Sequence, residues 1–351
     1  MKFKNENFKN TIVSSAFFLS FLLTPTILHA RCPIPSGGTL EVRAPAGNLI
    51  IDTSGTDSVD WDVNSKQIAA QEICKRDTVR IEGSATGPIR PIPDWHIKVP
   101  RNVILDLVTQ AGSITIGQSD GKVNARTGGG DVFIGNIRGE TSIFTEAGNI
   151  QAGDIGSNVA VKSNQAGNLI LGNVNGEVTA WTQAGDITVA SAMRVLNMVT
   201  GGGNILVKRL MGSFKGRNEA GNIRIEQAGS WVEASTGSGN IYLRMVPDRT
   251  TGDLHVNLQT GGNGDITLLL PKGMKADIQT TSTGKQVQSE VPLIPQISRR
   301  DFQSPPTLPS PRSGLNIAAQ RTEVMSGQLN GGGSPVKLHT SLGKIEIKLF
   351  N

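Results

Sequence analysis

Histidine and cysteine are scarce in this chain of 351 residues, which has four of the one and two of the other. His96, His255 and His339 stand far apart, and none has a cysteine or carboxylate motif beside it. That pattern excludes the zinc motifs built from paired Cys and His, and neither a metal nor a cofactor is expected. A phosphate-binding glycine loop is also missing. So are apolar residues at the three- and four-residue spacing of an amphipathic helix. Basic residues exceed acidic ones, for a net charge of +5, but they are interspersed and form no long Lys/Arg run. Nucleic acid is therefore not an expected partner.

What the chain has instead is glycine at a fixed interval. The recurring positions are Gly112, Gly130, Gly148, Gly167, Gly185, Gly203, Gly221 and Gly239, spaced by 18 residues except for one gap of 19. Two residues after each comes Ile114, Val132, Ile150, Leu169, Ile187, Ile205, Ile223 or Ile241. Two further on, every copy but one, Ala152, has another aliphatic residue. Alternation with period two is the mark of a strand with one buried face. A second apolar site recurs eleven residues after the glycine (Val123, Val159, Val178, Leu196, Phe214, Val232), from which Thr141 departs, and a third often follows at plus thirteen. Glycines at plus nine (Gly121, Gly139, Gly176, Gly212) are expected to turn the chain through positive φ before the second strand. The phrase returns at Gly264 and at Gly343.

A short fixed period marks a stack of equivalent coils, each too small to bury its own aliphatic face. The expected fold is all-β: a single-stranded right-handed parallel β-helix, or β-solenoid, with about 18 residues per coil. Apolar sites at plus two, four, eleven and thirteen lack the six-residue rhythm of left-handed hexapeptide helices, and crossovers between parallel strands are right-handed. Eight coils at the ordinary strand spacing span roughly 35 Å. Polar residues align as well. Ser, Asp or Asn follows each glycine, and Thr or Asn precedes it by three, as at Thr109, Thr127 and Asn164. Such side chains bond to backbone groups at turns.

Residues 1–30 read as a secretory signal, with Lys2, Lys4 and Lys9 ahead of an apolar run from Thr11 to Leu28 and a small residue at Ala30. The chain is thus expected to be exported to the periplasm, outer surface or exterior, with no transmembrane span after cleavage. Export makes Cys32 and Cys74, the only cysteines, each other's expected disulfide partner. Residues 31–108 are expected to form an N-terminal cap and irregular first coils. Regular repeats follow over 109–282, a mobile Pro/Ser-rich insertion over 283–335, and a final coil over 336–351.

Repeated Ala-Gly-Asn-Ile (Ala147 to Ile150, Ala220 to Ile223), Gly-Gly-Asn-Ile (Gly202 to Ile205) and Gly-Ser-Gly-Asn-Ile (Gly237 to Ile241) resemble the β-strand-repeat family of bacterial adhesins. That is a domain-of-unknown-function group related to head domains with a Gly-Ile-Asn signature. Ile97-Lys98-Val99-Pro100 at the entry to the repeats, and Gly331-Gly332-Gly333 ahead of Gly343, also resemble it. The resemblance covers about residues 38 to 350. It implies a β-solenoid with an adhesin-like role and brings no catalytic residues with it.

A β-helix can also carry a polysaccharide lyase or hydrolase, so acidic pairs matter. Asp131, Asp154, Asp186 and Asp265 lie nearest the repeats. Asp131 and Asp186 share one ladder position three coils apart, about 14 Å at the strand spacing. Glycosidase carboxylates stand within roughly 5 to 10 Å of each other, so these are expected to cap turns. Calcium-binding rolls need a glycine-rich phrase every nine residues, and the stretches Gly128 to Asp131 and Gly261 to Asp265 have no such echo. Trp181 and Trp231 fall between the inward sites and are candidates for sugar contact. The expected function is a secreted or cell-envelope, non-enzymatic, adhesin-like binding or scaffolding protein. Its expected partner is a cell-surface or envelope polysaccharide or protein. The alternative is a carbohydrate-active β-helix enzyme or a polysaccharide-binding protein.

Overall fold

The computed structural model describes residues 32–54, 57–247, 254–283, 287–296 and 322–351. The expected signal segment, 1–30, lies outside them. The described residues are all-β, and no helix among them is long and apolar enough to cross a membrane. Their strands form two sheets, of 15 and 16 strands, in long parallel runs. From β8 (Ile104–Thr109) and β9 (Ile114–Ile116) to β24 (Val256–Thr260) and β25 (Ile266–Pro271), successive strands alternate between the two.

Register follows the glycine interval. Val132 pairs with Ile114 on one side and Ile150 on the other, while Thr141 in the second sheet pairs with Val123 and Val159. Because side chains alternate across a strand, this register stacks all the plus-two residues inward. Ile187 is fully buried between Leu169 and Ile205, and its neighbour Asp186 is exposed. Both sheets feed one continuous aliphatic core. Each such side chain contributes about 1.5 to 3 kcal/mol on leaving water.

Two expectations about the repeat need correction. A further buried site lies at plus seven, filled by Ile137, Ile155, Val174, Ala192, Leu210 and Ala228. It is one inward residue per repeat at a corner, with parallel bridges Ser119–Ile137–Ile155–Val174, and so has no alternating partner to announce it. The plus-nine glycines do not adopt positive φ. A Cβ on Gly139 would collide with the Gly121 backbone, and one on Gly121 with Val103. Close stacking, not turn conformation, demands glycine there.

Stacking also explains the main glycine ladder. At Gly130 φ is +141°, which L side chains avoid. Gly167, Gly264 and Gly343 are not in that region, yet at all ten ladder positions a Cβ would stand on the carbonyl of the preceding ladder glycine, beginning with Gly47 under Gly112. That carbonyl is not left bare. The Thr127 hydroxyl donates to Gly112 O at 2.7 Å, Thr145 to Gly130 O at 3.0 Å and Thr200 to Gly185 O at 3.0 Å. In the 19-residue repeat the partner is Ser163, at 3.2 Å from Gly148 O, and not Asn164. The extra residue makes a register shift between Ser163 and Ala166, which turns Asn164 to Glu146 instead, at 2.8 Å.

The ends depart from the repeat. β2 (Thr39–Ala44) and β3 (Asn48–Asp52) are already regular, pairing in parallel with β8 and β9. Outside them lie β4 (Ser58–Val63), β6 (Thr78–Ala85) and β7 (Asp94–Lys98), edged by β1 (Cys32–Pro33) in one sheet and β5 (Ile68–Cys74) in the other. A disulfide joins Cys32 to Cys74. Trp95 fills this end, fully buried against Gly47 and Gly83, with its indole N–H donating to Ala46 O at 3.0 Å.

The expected insertion, 283–335, lies toward the other end. β27 (Val287–Ser289), β28 (Ile294–Pro295) and β29 (Thr322–Leu329) fall inside that span, β29 lying antiparallel to β26 (Ala276–Thr283). Strand pairing supplies the order that composition does not. The remainder, 297–321, lies outside the described residues. The final phrase forms β30 (Ser334–Thr340) and β31 (Ile345–Phe350), which slot between β24/β25 and β26/β27.

Candidate binding face

The acidic candidates are engaged with backbone. Asp131 Oδ1 accepts from the Asn149 amide at 2.7 Å, Asp186 Oδ1 from Asn204 at 2.7 Å, and Asp265 Oδ1 from Lys344 at 2.7 Å. They are links in one ladder that runs from Asn48, whose Oδ1 takes the Ser113 amide at 2.9 Å, through Asn149, Asn168, Asn204, Asn222 and Asn240. Asp154 does the same one corner away, accepting from Asn173 N at 2.8 Å. An acceptor facing successive amides holds a coil edge, and nothing in this line converges on a reacting atom.

The histidines are dispersed. His96 lies on β7 in the 15-stranded sheet and His339 on β30 in the other. His255 stacks on Trp231, with centroids 4.9 Å apart and planes 15° from parallel. Among the described residues, Cys32, Glu72 and Cys74 form the one trio with metal-ligand spacing, and its sulfurs are bonded to each other.

Among the described residues Arg80, which is exposed, and Glu346, which is half-buried, have displaced pKa values. The hydrogen bond to Glu41 raises Arg80 above its ordinary value, and the hydrogen bond from Lys348 lowers Glu346. These are surface ion pairs, not poised acids or bases.

A different feature emerges on the outer face of the 16-stranded sheet. Parallel register sets Arg43, Val108, Arg126, Phe144, Lys162, Trp181, Val199 and Arg217 side by side in one row across the strands. They face outward because Ala125, Thr127, Ile143 and Thr145, their chain neighbours, are buried. Arg126 lies over the Phe144 ring at 4.8 Å, and Lys162 stands 5.9 Å from Phe144 and 4.8 Å from Trp181. Each such contact is worth about 0.5 to 1 kcal/mol at an exposed site. Trp181 and Phe144 are half-buried, whereas Arg126, Lys162 and Arg217 are exposed.

Ion pairing separates this row from its surroundings. Lys122 pairs with Glu140 at 3.0 Å and Lys215 with Glu233 at 3.5 Å. Arg126, Lys162 and Arg217 have no carboxylate partner among the described residues. At one end Arg43 is clamped to Asp106 at 2.6 Å, and there a groove of about 360 Å³ opens, lined by Arg43, Asp106, Asn124, Arg126, Ser142 and Phe144. A second groove, about 240 Å³, lies beside His255 between Glu233, Asn257, Pro335 and Lys337. The structure thus puts Trp181 in a composite row and stacks Trp231 against a histidine. The row was missed in the sequence because its members are one repeat apart and of unlike type.

No family model matches the chain, and no curated protein matches it. Similar solved structures include a putative cell adhesion protein from Clostridium sporogenes, 12% identical, with 90% of this chain and 93% of that one covered and a TM-score of 0.16. They also include a putative adhesin from Bacteroides fragilis, 14% identical, with 68% and 94% covered and a TM-score of 0.29.

Proposed function

We propose that this chain is an exported, non-enzymatic, adhesin-like protein that binds or scaffolds polymers of the cell envelope. It is built as a single-stranded right-handed parallel β-helix with about 18 residues per coil. Residues 1–30 are its cleaved signal, the segment before Ile104 its cap and first coil, and 297–321 a dispensable insertion.

One observation carries this reading. The aspartates Asp131, Asp154, Asp186 and Asp265 accept backbone amides, while an outward row keeps unpaired cations and aromatic rings. Catalysis needs an acid and a base converging on one bond. Binding needs a long regular face, which stacked repeats supply. Trp181 and Trp231 are proposed as ligand contacts, Trp231 at the edge of the smaller groove.

The test is a screen of the chain from Arg31 against glycans, envelope polymers and surface proteins, with product formation followed in parallel. Binding without new reducing ends or unsaturated products is expected. Release of such products would replace this reading with the enzymatic one, and failure to bind any envelope component would remove it.

A further inference from the structure

The outward row does more than offer area; its chemistry alternates. Cations occupy Arg126 and Lys162, two repeats apart, and an aromatic ring stands next to each, at Phe144 and Trp181. Two strand spacings amount to about 9.6 Å. That is close to the length of a disaccharide in an extended β-linked chain. Resting on the envelope-binding reading above, we propose that this row binds a linear acidic polysaccharide, one carrying a carboxylate on alternate sugars. Arg126 and Lys162 pair with carboxylates one disaccharide apart, and Phe144 and Trp181 cover the apolar faces of the sugar rings.

Three observations support that occupant over others. The cations are unpaired among the described residues, so no internal ion pair has to break before the ligand binds. Ring contacts on Lys162 and Arg126 restrict two long side chains that would otherwise lose rotamer freedom on binding. The groove between Arg43 and Phe144 continues the row at its end, and its Asn124 and Ser142 offer neutral hydrogen-bonding groups to sugar hydroxyls.

A polyphosphate fits less well. Asp106, Glu146 and Glu233 flank the row on the same face, and a chain with a charge on every unit would meet them. Glu146 is already hydrogen-bonded to Asn164 at 2.8 Å, and Asp106 is clamped to Arg43. An acid on alternate units can pass between them.

The experiment uses the chain from Arg31 and three probes: hyaluronan, a β-linked polymer with a carboxylate on alternate sugars, its methyl-esterified form, and a single-stranded oligonucleotide of similar length. Hyaluronan is expected to bind, to lose most of its affinity on esterification, and to weaken as salt rises from about 0.05 to about 0.5 M. Lys162→Gln with Arg126→Gln should weaken binding about tenfold or more, and Trp181→Ala about fivefold. Phe133→Ala, on the outer face of the other sheet, is 42% exposed in the wild type and should change nothing. Thermal melts within a few degrees of wild type establish that the variants are folded.

Equal binding of the esterified polymer, or row variants that bind like wild type, overturns the proposal. So does tighter binding of the oligonucleotide, which would assign the row to nucleic acid. Binding of neutral glycans alone overturns this inference but leaves the envelope-binding reading intact, whereas product release overturns that reading itself.

Discussion

The two ends of the stack meet the same difficulty with different chemistry. A sheet edge exposes unpaired backbone groups that template association, and each end presents two edges, one per sheet. At the N-terminal end those edges are β1 and β5, and the Cys32–Cys74 disulfide ties them together across a sequence separation of 42. At the C-terminal end they are β27 and β28, and the short connection 290–293 runs straight from one to the other with Val291 buried in it. Pro33 and Pro295 sit on edge strands at opposite ends, where a missing N–H denies a donor to any added strand. One closure is a covalent bond between distant segments; the other is chain continuity. Both ends also bury a terminal repeat one layer deep, β2/β3 beneath β6/β7 and β30/β31 beneath β26/β27. The middle needs none of this, because each of its repeats is held by the same links above and below.

That contrast makes the middle the most sensitive to one wrong side chain. Ile187→Asp should abolish cooperative folding, since a carboxylate between Leu169 and Ile205 has no partner and its burial costs several kcal/mol. Asp186→Ala should cost on the order of 1 kcal/mol, because the Asn204 amide it leaves is exposed and water replaces the lost acceptor. Thermal melts of the two variants compare inward and outward faces; the reverse ranking would overturn the register. Next in size is Cys74→Ala. Opening this loop removes up to about 4 kcal/mol in the chain-entropy model. The loss is expected to be local: hydrogen exchange should quicken in β1, β4 and β5 and stay unchanged in β27 to β31. Equal loosening at both ends would mean that the disulfide stabilises the whole stack and that the ends are not independent. Thiol titration of the denatured, unreduced wild type should find no reactive group.

Much of this was legible in the residues, and what was not has a physical reason. The glycine interval and the period-two aliphatics are local signals, so the parallel strands and their register could be read directly. Gly47-Asn48-Leu49 was equally visible, but its partner lies at Gly112, and the intervening excursion hides the regular repeat at β2/β3. Strand β5 carried no signal because only Ile68 of Ile68–Cys74 is buried. The plus-seven corner places one buried residue per repeat, too sparse for alternation to reveal. Ser163 and Asn164 exchanged roles because an insertion can be counted from sequence but not located within a turn. The outward row was illegible for a deeper reason: no single repeat contains it, and only stacking brings Arg126, Phe144, Lys162 and Trp181 together.

Continuity at the C-terminal end predicts tolerance where the N-terminal end predicts loss. Residues 297–321 join β28 to β29, which are antiparallel neighbours, with Ile294 opposite Ser326 and the Gln296 amide donating to Val324 O at 2.7 Å. Replacing 297–321 with a four-residue Gly/Ser linker should therefore keep the fold and raise stability by about 1 kcal/mol, since a shorter loop closes at less entropic cost. Denaturant titration reads this directly. A fall in stability comparable to that of Cys74→Ala would show that the segment packs on the stack.

The smallest effect concerns acid. Glu346 on β31 accepts from Lys348 at 3.1 Å, and its carboxyl lies below its ordinary range because of that hydrogen bond. A depressed carboxyl contributes stability above its unfolded pKa and loses it as pH falls through the lower, folded value. Protection of the β31 and β27 amides, corrected for intrinsic exchange, should thus decline slightly between about pH 5 and about pH 3. Lys348 is exposed and Glu346 half-buried, so about 1 M salt should weaken the decline, and Glu346→Gln should remove it. At the N-terminal end, Arg80 is shifted upward by Glu41, and its own titration lies far above this window. Should Glu346→Gln keep the full acid dependence, the lability belongs to another carboxylate.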